Sequence, residues 1–128
     1  MAETGKVMIV DDSVTVLDLA KAKLSAEGFR VVTTSNPSQA ARLLAGCHLV
    51  LIDFHMPGTN GEEVCARLRK AVPEGESPLF FLYTTDAKAS TNYLSRGFDG
   101  VFVLKGNADS LLRQVKAAMR LAAIRAVK

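Results

Sequence analysis

Acidic side chains follow two short apolar segments, at the point where each segment ends. Asp11 and Asp12 come directly after Val7–Val10, and Asp53 comes directly after Leu49–Ile52. Both segments are rich in β-branched residues, which is typical of buried strands. Because the carboxyl ends of neighbouring parallel strands meet at one edge of a sheet, we expect the three carboxylates to lie close together. Such a cluster repels itself unless a proton or a cation intervenes, so the sequence predicts a site for a hard divalent ion such as Mg²⁺.

Each acid also has a simpler alternative role. Asp11 or Asp12 could cap the helix that follows, which is a common use of aspartate. Capping accounts for only one of the pair and does not explain Asp53. Asp53 could be a turn residue ahead of Pro57, but its place after a wholly apolar segment favours a strand end. The metal-site interpretation therefore explains more of the pattern.

The composition is that of an ordinary globular protein. The chain has 128 residues, of which 48% are hydrophobic and 23% charged, and this length suffices for one self-sufficient core. We therefore expect a single domain over residues 1–128. No apolar run approaches the length of a membrane span and no signal-peptide pattern opens the chain, so we expect a cytoplasmic protein without a membrane partner. Cys47 and Cys65 lack metal-ligand spacing, which predicts two buried free thiols.

The net charge of +3 does not indicate a nucleic-acid partner. The basic excess collects near the C-terminus, where Arg113, Lys116 and Arg120 follow helical spacing. No aromatic residues are interleaved with them and no DNA-reading motif is present, so a solvated helix face is the preferred interpretation.

Strands and helices alternate along the chain with short connections. The predicted strands are Lys6–Val10, Phe29–Thr33, His48–Asp53, Leu79–Tyr83 and Val101–Leu104. The predicted helices begin at Asp12 or Ser13 (ending before Gly28), at Asn36 (to about Leu44), at Gly61, at Asp86 (to Arg96) and at Asn107 (to about Val127). The helix from Asp86 is intrinsically weak, because Ser90, Thr91 and Asn92 are poor helix formers. Five successive βα units predict an α/β fold with a doubly wound parallel sheet.

Four short motifs lie at the ends of successive predicted strands. They are Val10-Asp11-Asp12-Ser13, Asp53-Phe54-His55-Met56-Pro57 with Gly61, Thr84, and the run from Gly97 to Lys105. In this order they make the chain similar, over nearly its whole length, to the receiver domain of two-component response regulators. The resemblance implies a flavodoxin-like, five-stranded parallel sheet of order 2-1-3-4-5 with five helices. It also implies that Asp53 accepts a phosphoryl group from a histidine kinase or a histidine phosphotransfer protein.

The resemblance implies a role for each acid. Asp12, Asp53 and the backbone carbonyl of His55 would ligate Mg²⁺, while Asp11 would act through the water shell of the metal. Mg²⁺ keeps several waters and is commonly bound by one or two carboxylates together with phosphate oxygens, which suits this arrangement.

Two further side chains would contact the phosphoryl group. By the resemblance, Lys105 would place its ammonium on one phosphate oxygen and Thr84 would donate its hydroxyl to another. Thr85 competes with Thr84 for this role. Thr84 fits the family pattern better because Asp86 then falls two positions later, and Thr85 would merely cap the next helix.

The resemblance also implies switching and rate-tuning residues. Phe102 would exchange an outward for an inward rotamer when Thr84 is drawn to the phosphoryl group, whereas a fixed strand aromatic is the plain alternative. His55 and Asp86, at variable positions flanking the site, would tune phosphorylation and hydrolysis rates. A solvent-exposed loop histidine is an equally good interpretation of His55.

One departure from the family pattern follows Lys105. The family usually has a proline there, reached through a cis peptide, whereas this chain has Gly106. A cis peptide before a residue other than proline costs roughly 2.5–4 kcal/mol, so we expect a trans linkage.

These features predict a signalling domain that catalyses only its own phosphotransfer and dephosphorylation, and not an enzyme acting on other substrates. Its fourth helix, fifth strand and fifth helix would control a partner or output domain, or bind a second copy of the chain. Because the sequence ends after the fifth predicted helix, we expect a stand-alone regulator or part of a longer protein.

Other classes of protein fit the motifs less well. A haloacid-type phosphatase would need a second aspartate where His55 stands. A flavodoxin or nucleotide-binding module would need a phosphate-cradling loop after the first strand, where Asp11 and Asp12 would repel the ligand. The remaining alternative is a receiver-fold interaction module that acts independently of phosphorylation.

Overall fold

The computed structural model describes residues 5–127, with side chains to residue 124. In chain order, the strands of this part are β1 (Lys6–Val10), β2 (Arg30–Thr34), β3 (Leu49–Ile52), β4 (His55–Met56), β5 (Thr59–Asn60), β6 (Leu79–Tyr83) and β7 (Gly100–Phe102). The helices are α1 (Val14–Ala26), a 3₁₀ helix (Pro37–Leu43), α2 (Gly61–Ala71), α3 (Ala87–Thr91) and α4 (Ala108–Val127).

Five of the strands form one parallel sheet in the order β2-β1-β3-β6-β7, while β4 and β5 pair as a small antiparallel hairpin. With the hairpin set aside, this is the predicted 2-1-3-4-5 order, and the flavodoxin-like fold is confirmed. Each βα unit leads into another parallel strand of the sheet, and the crossover from β2 to β3 passes β1, as expected for a doubly wound sheet with helices on both faces.

The core consists of two apolar layers, one on each face of the sheet. Alternate residues of a strand point to opposite faces of the sheet. Because both faces are covered, the central strands β3 and β6 are buried along their whole length. One layer includes residues of α1 and α4, and the other includes residues of the 3₁₀ helix and α2. Cys47 and Cys65 are buried and free, as predicted.

The register of the central strands brings the site residues to one level. Val10 of β1 pairs with Ile52 of β3, and Ile52 pairs with Leu82 of β6. Asp53, the residue that follows β3, donates its backbone N–H to the carbonyl of Val10 over 3.0 Å. The acids after β1 and β3 therefore emerge at the same edge of the sheet.

The predicted helix from Asn36 to about Leu44 is a 3₁₀ helix instead of an α-helix. Its start is as expected, because Asn36 caps it by accepting the N–H of Ser38 over 3.1 Å and Pro37 follows. The segment is only 7 residues long, and a helix this short gains few i→i+4 bonds to offset the cost of nucleation.

The predicted helix Asp86–Arg96 is also wrong in its extent, since α3 ends at Thr91. The hydroxyl of Thr91 donates to the carbonyl of Ala87 over 2.9 Å, and further along Ser95 bonds the carbonyl of Asn92. Side chains of this type compete with the backbone bonds that would continue a helix. Thr85 does not cap α3, because the cap is Asp86, whose carboxylate accepts the N–H of Ala89 over 3.0 Å.

Two other boundaries differ from the predictions. The stretch from 54 to 60, where no strand was predicted, contains the hairpin of β4 and β5. The predicted strand Val101–Leu104 ends at Phe102, because Leu104 lies in the left-handed region at φ 57°, which a strand does not allow. In the described part of the chain, no helix has both the length and the apolar character needed to cross a membrane.

Candidate functional site

The three predicted acids meet at the carboxyl edge of the sheet. One carboxylate oxygen from each of Asp11, Asp12 and Asp53 lies within 4.8 Å of the others. Asp11 is 1% exposed and Asp53 is 7% exposed, whereas Asp12 is open to solvent. The cluster is therefore buried at its base and accessible at one corner.

Lys105 reaches into this cluster from the segment after β7. Its Nζ lies 2.5 Å from Oδ2 of Asp11 and 3.1 Å from Oδ1 of Asp53, and its side chain is 10% exposed. Burial acts to lower the pKa of Lys105, but the bond to Asp11 and the charges of both acids outweigh it and hold the pKa above its ordinary value. Lys105 is thus a charged counterion shared by two buried carboxylates.

Asp11 is held by the start of α1. Its Oδ1 accepts the backbone N–H of Ser13 over 2.9 Å. Its Oδ2 is buried without a hydrogen bond of good geometry, and its close contact is the ammonium of Lys105. Burial raises the pKa of Asp11, although the Lys105 and Ser13 contacts oppose the rise.

The cap of α1 is Ser13, whose hydroxyl accepts the N–H of Val16 over 3.3 Å. Asp12 is therefore not needed as the cap of α1, and its exposed carboxylate is available at the open corner of the cluster. Carboxylate oxygens are the donors that Mg²⁺ prefers, and the buried Oδ2 of Asp11 is short of a hydrogen bond. The residues present fit a magnesium ion.

Thr84 lies buried directly after β6, while Thr85 is exposed. The hydroxyl oxygen of Thr84 accepts the backbone N–H of Asp86 over 3.2 Å, which fixes the turn into α3. Since Leu82 pairs with Ile52, Thr84 lies one residue beyond the level of Asp53. Of the two threonines, Thr84 is the one placed inside the carboxyl edge of the sheet.

His55 and Asp86 are in contact across the mouth of the site. The Nε2 of His55 lies 2.5 Å from Oδ2 of Asp86. The N–H of Ala89, together with His55, holds the pKa of Asp86 below its ordinary value. Sequence reasoning placed both residues at the site but did not predict their pairing, because neighbouring loops give no register for side-chain contacts.

A second contact joins Arg96, at the far end of segment 86–96, to Phe54, the residue after Asp53. The guanidinium of Arg96 lies 4.9 Å from the ring centre of Phe54 and 3.2 Å from the carboxylate of Glu62. The Phe54 ring in turn packs edge-on against His55. Segment 86–96 is therefore held at both ends by the loop that follows Asp53, and the sequence carried no signal for Arg96 or Phe54 in this role.

Phe102 occupies an inward position. It is 2% exposed and packs edge-to-face on Phe81 and Tyr83, with ring centres 5.2 and 6.1 Å away. A change of its rotamer on phosphorylation stays a prediction.

Gly61 lets α2 approach the backbone of the Asp53 loop. Its N–H donates to the carbonyl of Phe54 over 2.7 Å, and an added Cβ would lie 2.5 Å from the carbonyl oxygen of Asp53. Because the obstructing atom is backbone, relief requires movement of α2 or of the loop itself.

Replacing Gly61 with alanine should therefore disturb both stability and the site. We expect the free energy of unfolding to fall by about 1–3 kcal/mol, as for other overpacked positions, despite the better helix propensity of alanine. Denaturant unfolding measures the change. Lys70→Ala, at an exposed position of α2, is the control, and equal stability of the two variants would contradict the close approach.

Gly106 explains the departure from the family's proline. Its φ is +95°, and its N–H donates to the hydroxyl oxygen of Tyr83 over 3.2 Å. Proline has a φ near −65° and no N–H, so it fits neither condition. Cis peptides are absent from residues 5–127, which agrees with the trans linkage expected after Lys105.

Gly106→Pro should accordingly be more damaging than Gly106→Ala. Alanine keeps the N–H and pays only for the left-handed backbone, roughly 1 kcal/mol, whereas proline also loses the bond to Tyr83 and should cost more than that. Thermal or denaturant unfolding of the two variants checks the order. A proline variant as stable as the alanine variant would contradict this conformation.

Comparison with known proteins places these features in a family. The sequence matches the response regulator receiver domain over residues 7–116. It is 31% identical over 121 residues to the phosphate regulon transcriptional regulatory protein PhoB of Rhizobium meliloti, covering 91% of this chain and 53% of that protein. It is 29% identical over 121 residues to the uncharacterized transcriptional regulatory protein YkoG of Bacillus subtilis, covering 92% and 52%. The chain thus spans about half the length of the curated relatives it matches.

Solved structures agree. The response regulator TrrA of Thermotoga maritima, determined as a Mg²⁺–BeF complex, matches with a TM-score of 0.73 and 28% identity, over 89% of this chain and 98% of that one. A receiver domain protein of Methanospirillum hungatei shares the fold with a TM-score of 0.79 at 23% identity, over 94% and 98%. Since the family match covers most of the chain and the acid cluster sits where its motifs predict, the protein belongs to the response regulator receiver domain family.

Proposed function

We propose that Asp53 accepts a phosphoryl group from a phosphohistidine of a histidine kinase or a histidine phosphotransfer protein, with Mg²⁺ as the cofactor. The observation that carries this proposal is the convergence of Lys105 on two buried carboxylates, Asp11 and Asp53, beside the exposed Asp12. An ammonium and a cluster of acids at one point suit the transfer of an anionic group to a carboxylate.

Asp53, Lys105 and Thr84 each have a separate role in this transfer. An oxygen of Asp53 forms a bond to phosphorus as the bond from phosphorus to the donor imidazole breaks, and the imidazole leaves with the electron pair. Lys105 places its positive charge next to the developing acyl phosphate, and the hydroxyl of Thr84 donates to a phosphoryl oxygen. Both act by position and charge, which are the main needs of phosphoryl transfer.

In this proposal, Asp12, Asp53 and the backbone carbonyl of His55 hold Mg²⁺, and Asp11 binds its water shell. When bound, the ion neutralises negative charge on the phosphoryl oxygens. TrrA of Thermotoga maritima, a relative of similar fold, was solved with Mg²⁺ and a beryllium fluoride group. His55 and Asp86 would then tune how readily water or a donor reaches Asp53, since their contact spans the mouth of the site.

The surface of α3, β7 and α4 is our candidate for the output of this switch. Exposed apolar side chains lie on α4 at Leu121 and after α3 and β7 at Leu94 and Val103, and Phe102 of β7 is in the inward position. Phosphorylation would draw Thr84 toward the site and alter this surface, for an output domain, a partner protein or a second copy of the chain. In this role the protein acts in the cytoplasm as a signalling domain and not as an enzyme on other substrates.

Incubation with acetyl phosphate and Mg²⁺, followed by intact-mass spectrometry, tests the proposal. We expect a single phosphoryl adduct that forms only with Mg²⁺ and does not form when the ion is chelated before acetyl phosphate is added. Absence of any adduct on the folded protein would contradict the proposal that Asp53 accepts a phosphoryl group. It would leave the alternative of an interaction module that acts independently of phosphorylation.

Magnesium binding should depend on pH through Asp11. Because burial raises the pKa of this carboxyl above its ordinary value of 3.8, a proton competes with the ion as the pH falls toward that raised value. In the metal-free protein the folded state binds this proton more tightly than the unfolded state does. Its stability therefore decreases as the pH rises through the window that begins at 3.8.

Titration calorimetry at several pH values measures how Mg²⁺ binding depends on pH, and denaturant unfolding does the same for the stability of the metal-free protein. At a Mg²⁺ concentration of 100 times its Kd, the ion should raise the free energy of unfolding by about 2.7 kcal/mol. Asp11→Asn should reduce the pH dependence of both quantities, whereas Asp18→Asn, at an exposed position of α1, should not. A pH dependence unchanged in Asp11→Asn would show that another group is responsible.

A further inference from the structure

We infer that Gln114 of α4 is a positioning residue that holds Lys105 at the acid cluster. The inference rests on the proposed function, because it concerns the side chain assigned there to the phosphoryl group. Gln114 does not itself contact the acids, and its effect is exerted through the backbone between Val103 and Gly106.

The side-chain amide of Gln114 binds both polar groups of Val103. Its Oε1 accepts the Val103 N–H over 2.8 Å, and its Nε2 donates to the Val103 carbonyl over 2.9 Å. The amide thus pairs with Val103 as a neighbouring strand would, directly after the edge strand β7 ends. Nε2 also contacts the hydroxyl and the carbonyl oxygen of Ser110, which fixes the amide on α4.

The second anchor lies directly after Lys105. The N–H of Gly106 donates to the hydroxyl oxygen of Tyr83 over 3.2 Å, and the N–H of Asn107 donates to the carbonyl of Leu104 over 3.0 Å. Only Leu104 and Lys105 lie between the anchor at Val103 and the anchor at Gly106.

Leu104 cannot hold this turn by packing. Its side chain is 64% exposed, and its backbone is in the left-handed region at φ 57°, which is unfavourable for leucine. This conformation redirects the chain so that Lys105 points back to Asp11 and Asp53. Such a conformation persists only when the surroundings impose it, and the Gln114 amide is the contact that does so on the side of β7.

This arrangement also accounts for Gly106. Where a proline after the lysine would stiffen the turn by its ring, this chain has a glycine at φ +95°. The stiffness comes instead from two side chains of neighbouring elements, Gln114 of α4 and Tyr83 of β6.

Nitrogen-15 NMR of the lysine ammonium groups tests the inference without any phosphorylation. A lysine Nζ held against two buried carboxylates exchanges its protons slowly, and Lys105→Gln identifies its signal. We expect Gln114→Ala to broaden or shift that signal, and Gln114→Glu, which keeps only the acceptor for the Val103 N–H, to have a smaller effect. Arg120→Ala, at an exposed position of α4, should leave it unchanged. A Lys105 signal unaffected in folded Gln114→Ala would overturn the inference.

Phosphorylation supplies a second, independent measurement. Gln114→Ala should slow the reaction with acetyl phosphate by roughly tenfold to a hundredfold, since small displacements of a positioned group have effects of this size. It should not weaken Mg²⁺ binding, which depends on the acids. In a Lys105→Gln background the same substitution should have no further effect, whereas an additive loss would show a general structural role and overturn the inference.

The two measurements separate the inference from the function on which it rests. If the wild-type protein forms no phosphoryl adduct, the proposed function fails, and the ammonium signal alone decides whether Gln114 positions Lys105. Circular dichroism and unfolding of Gln114→Ala establish that the variant is folded. Should it not fold, Gln114→Glu replaces it in both measurements, with the same expected direction.

Discussion

Asp53→Asn should abolish the phosphoryl adduct while leaving the fold intact. The amide is not a nucleophile toward phosphorus, and the neighbouring Asp11 does not substitute for it, because Asp11 is 1% exposed and already engaged by Lys105 and Ser13. Intact-mass spectrometry after incubation with acetyl phosphate and Mg²⁺ measures the effect. An adduct of unchanged amount in the variant would place the acceptor elsewhere.

The stability of Asp53→Asn should change little. The substitution removes one hydrogen-bonded charge from Lys105, worth about 1.5–3 kcal/mol, but it also relieves the repulsion between Asp53 and Asp11. Lys105 keeps its contact of 2.5 Å with Asp11. Asp18→Asn, an exposed acid of α1 outside the site, is the matched control and should be phosphorylated like the wild type.

Lys105→Gln should have opposite effects on phosphorylation and on metal binding. Without the ammonium, the rate of phosphorylation should fall by about 10²–10³-fold, as when one charge-stabilising donor is removed from other active sites. Affinity for Mg²⁺ should rise by roughly tenfold. In the wild type the Lys105 ammonium neutralises Asp11 and Asp53 and so competes with Mg²⁺ for them, and the variant lacks this ammonium. Titration calorimetry and the acetyl phosphate reaction measure the two effects separately.

The metal-free form of Lys105→Gln should also be less stable than the wild type. Since the pKa of Lys105 is raised in the folded protein, its contribution to stability is fully present below 10.5 and is lost as the pH rises through the folded pKa. The free energy of unfolding of the variant should not show this decrease at high pH. A fall in both metal affinity and phosphorylation would contradict the role of Lys105 as a counterion and would indicate a damaged site.

The fold was predictable because its signals are local. The runs that became β1, β3 and β6 are apolar and β-branched or aromatic, and each ends at polar residues, so their bounds agree with the structure to within a residue. Asn36 was predicted as a cap by residue type, and Ser13 was one of the two residues predicted to cap α1. The positions of Asp11, Asp12 and Asp53 followed from the rule that parallel strands share a carboxyl edge.

What the sequence did not reveal depends on contacts between distant segments. The pairing of His55 with Asp86 and the stacking of Arg96 on Phe54 join loops whose relative register no periodicity encodes. Weak helical propensity predicted instability after Asp86 but not where α3 would end. The turn at Leu104 is held by Gln114, a polar residue on a helix that gave no sign of this contact.

The most direct test of the assembled site is a crystal structure of the protein with Mg²⁺ and beryllium fluoride, a stable mimic of the phosphoryl group. We expect the fluoride group on the carboxylate of Asp53, Lys105 and Thr84 in contact with its fluorine atoms, and the metal bound by Asp12, Asp53 and the His55 carbonyl. A fluoride group bound elsewhere, or Lys105 still engaged with Asp11 and remote from it, would contradict phosphoryl acceptance at Asp53.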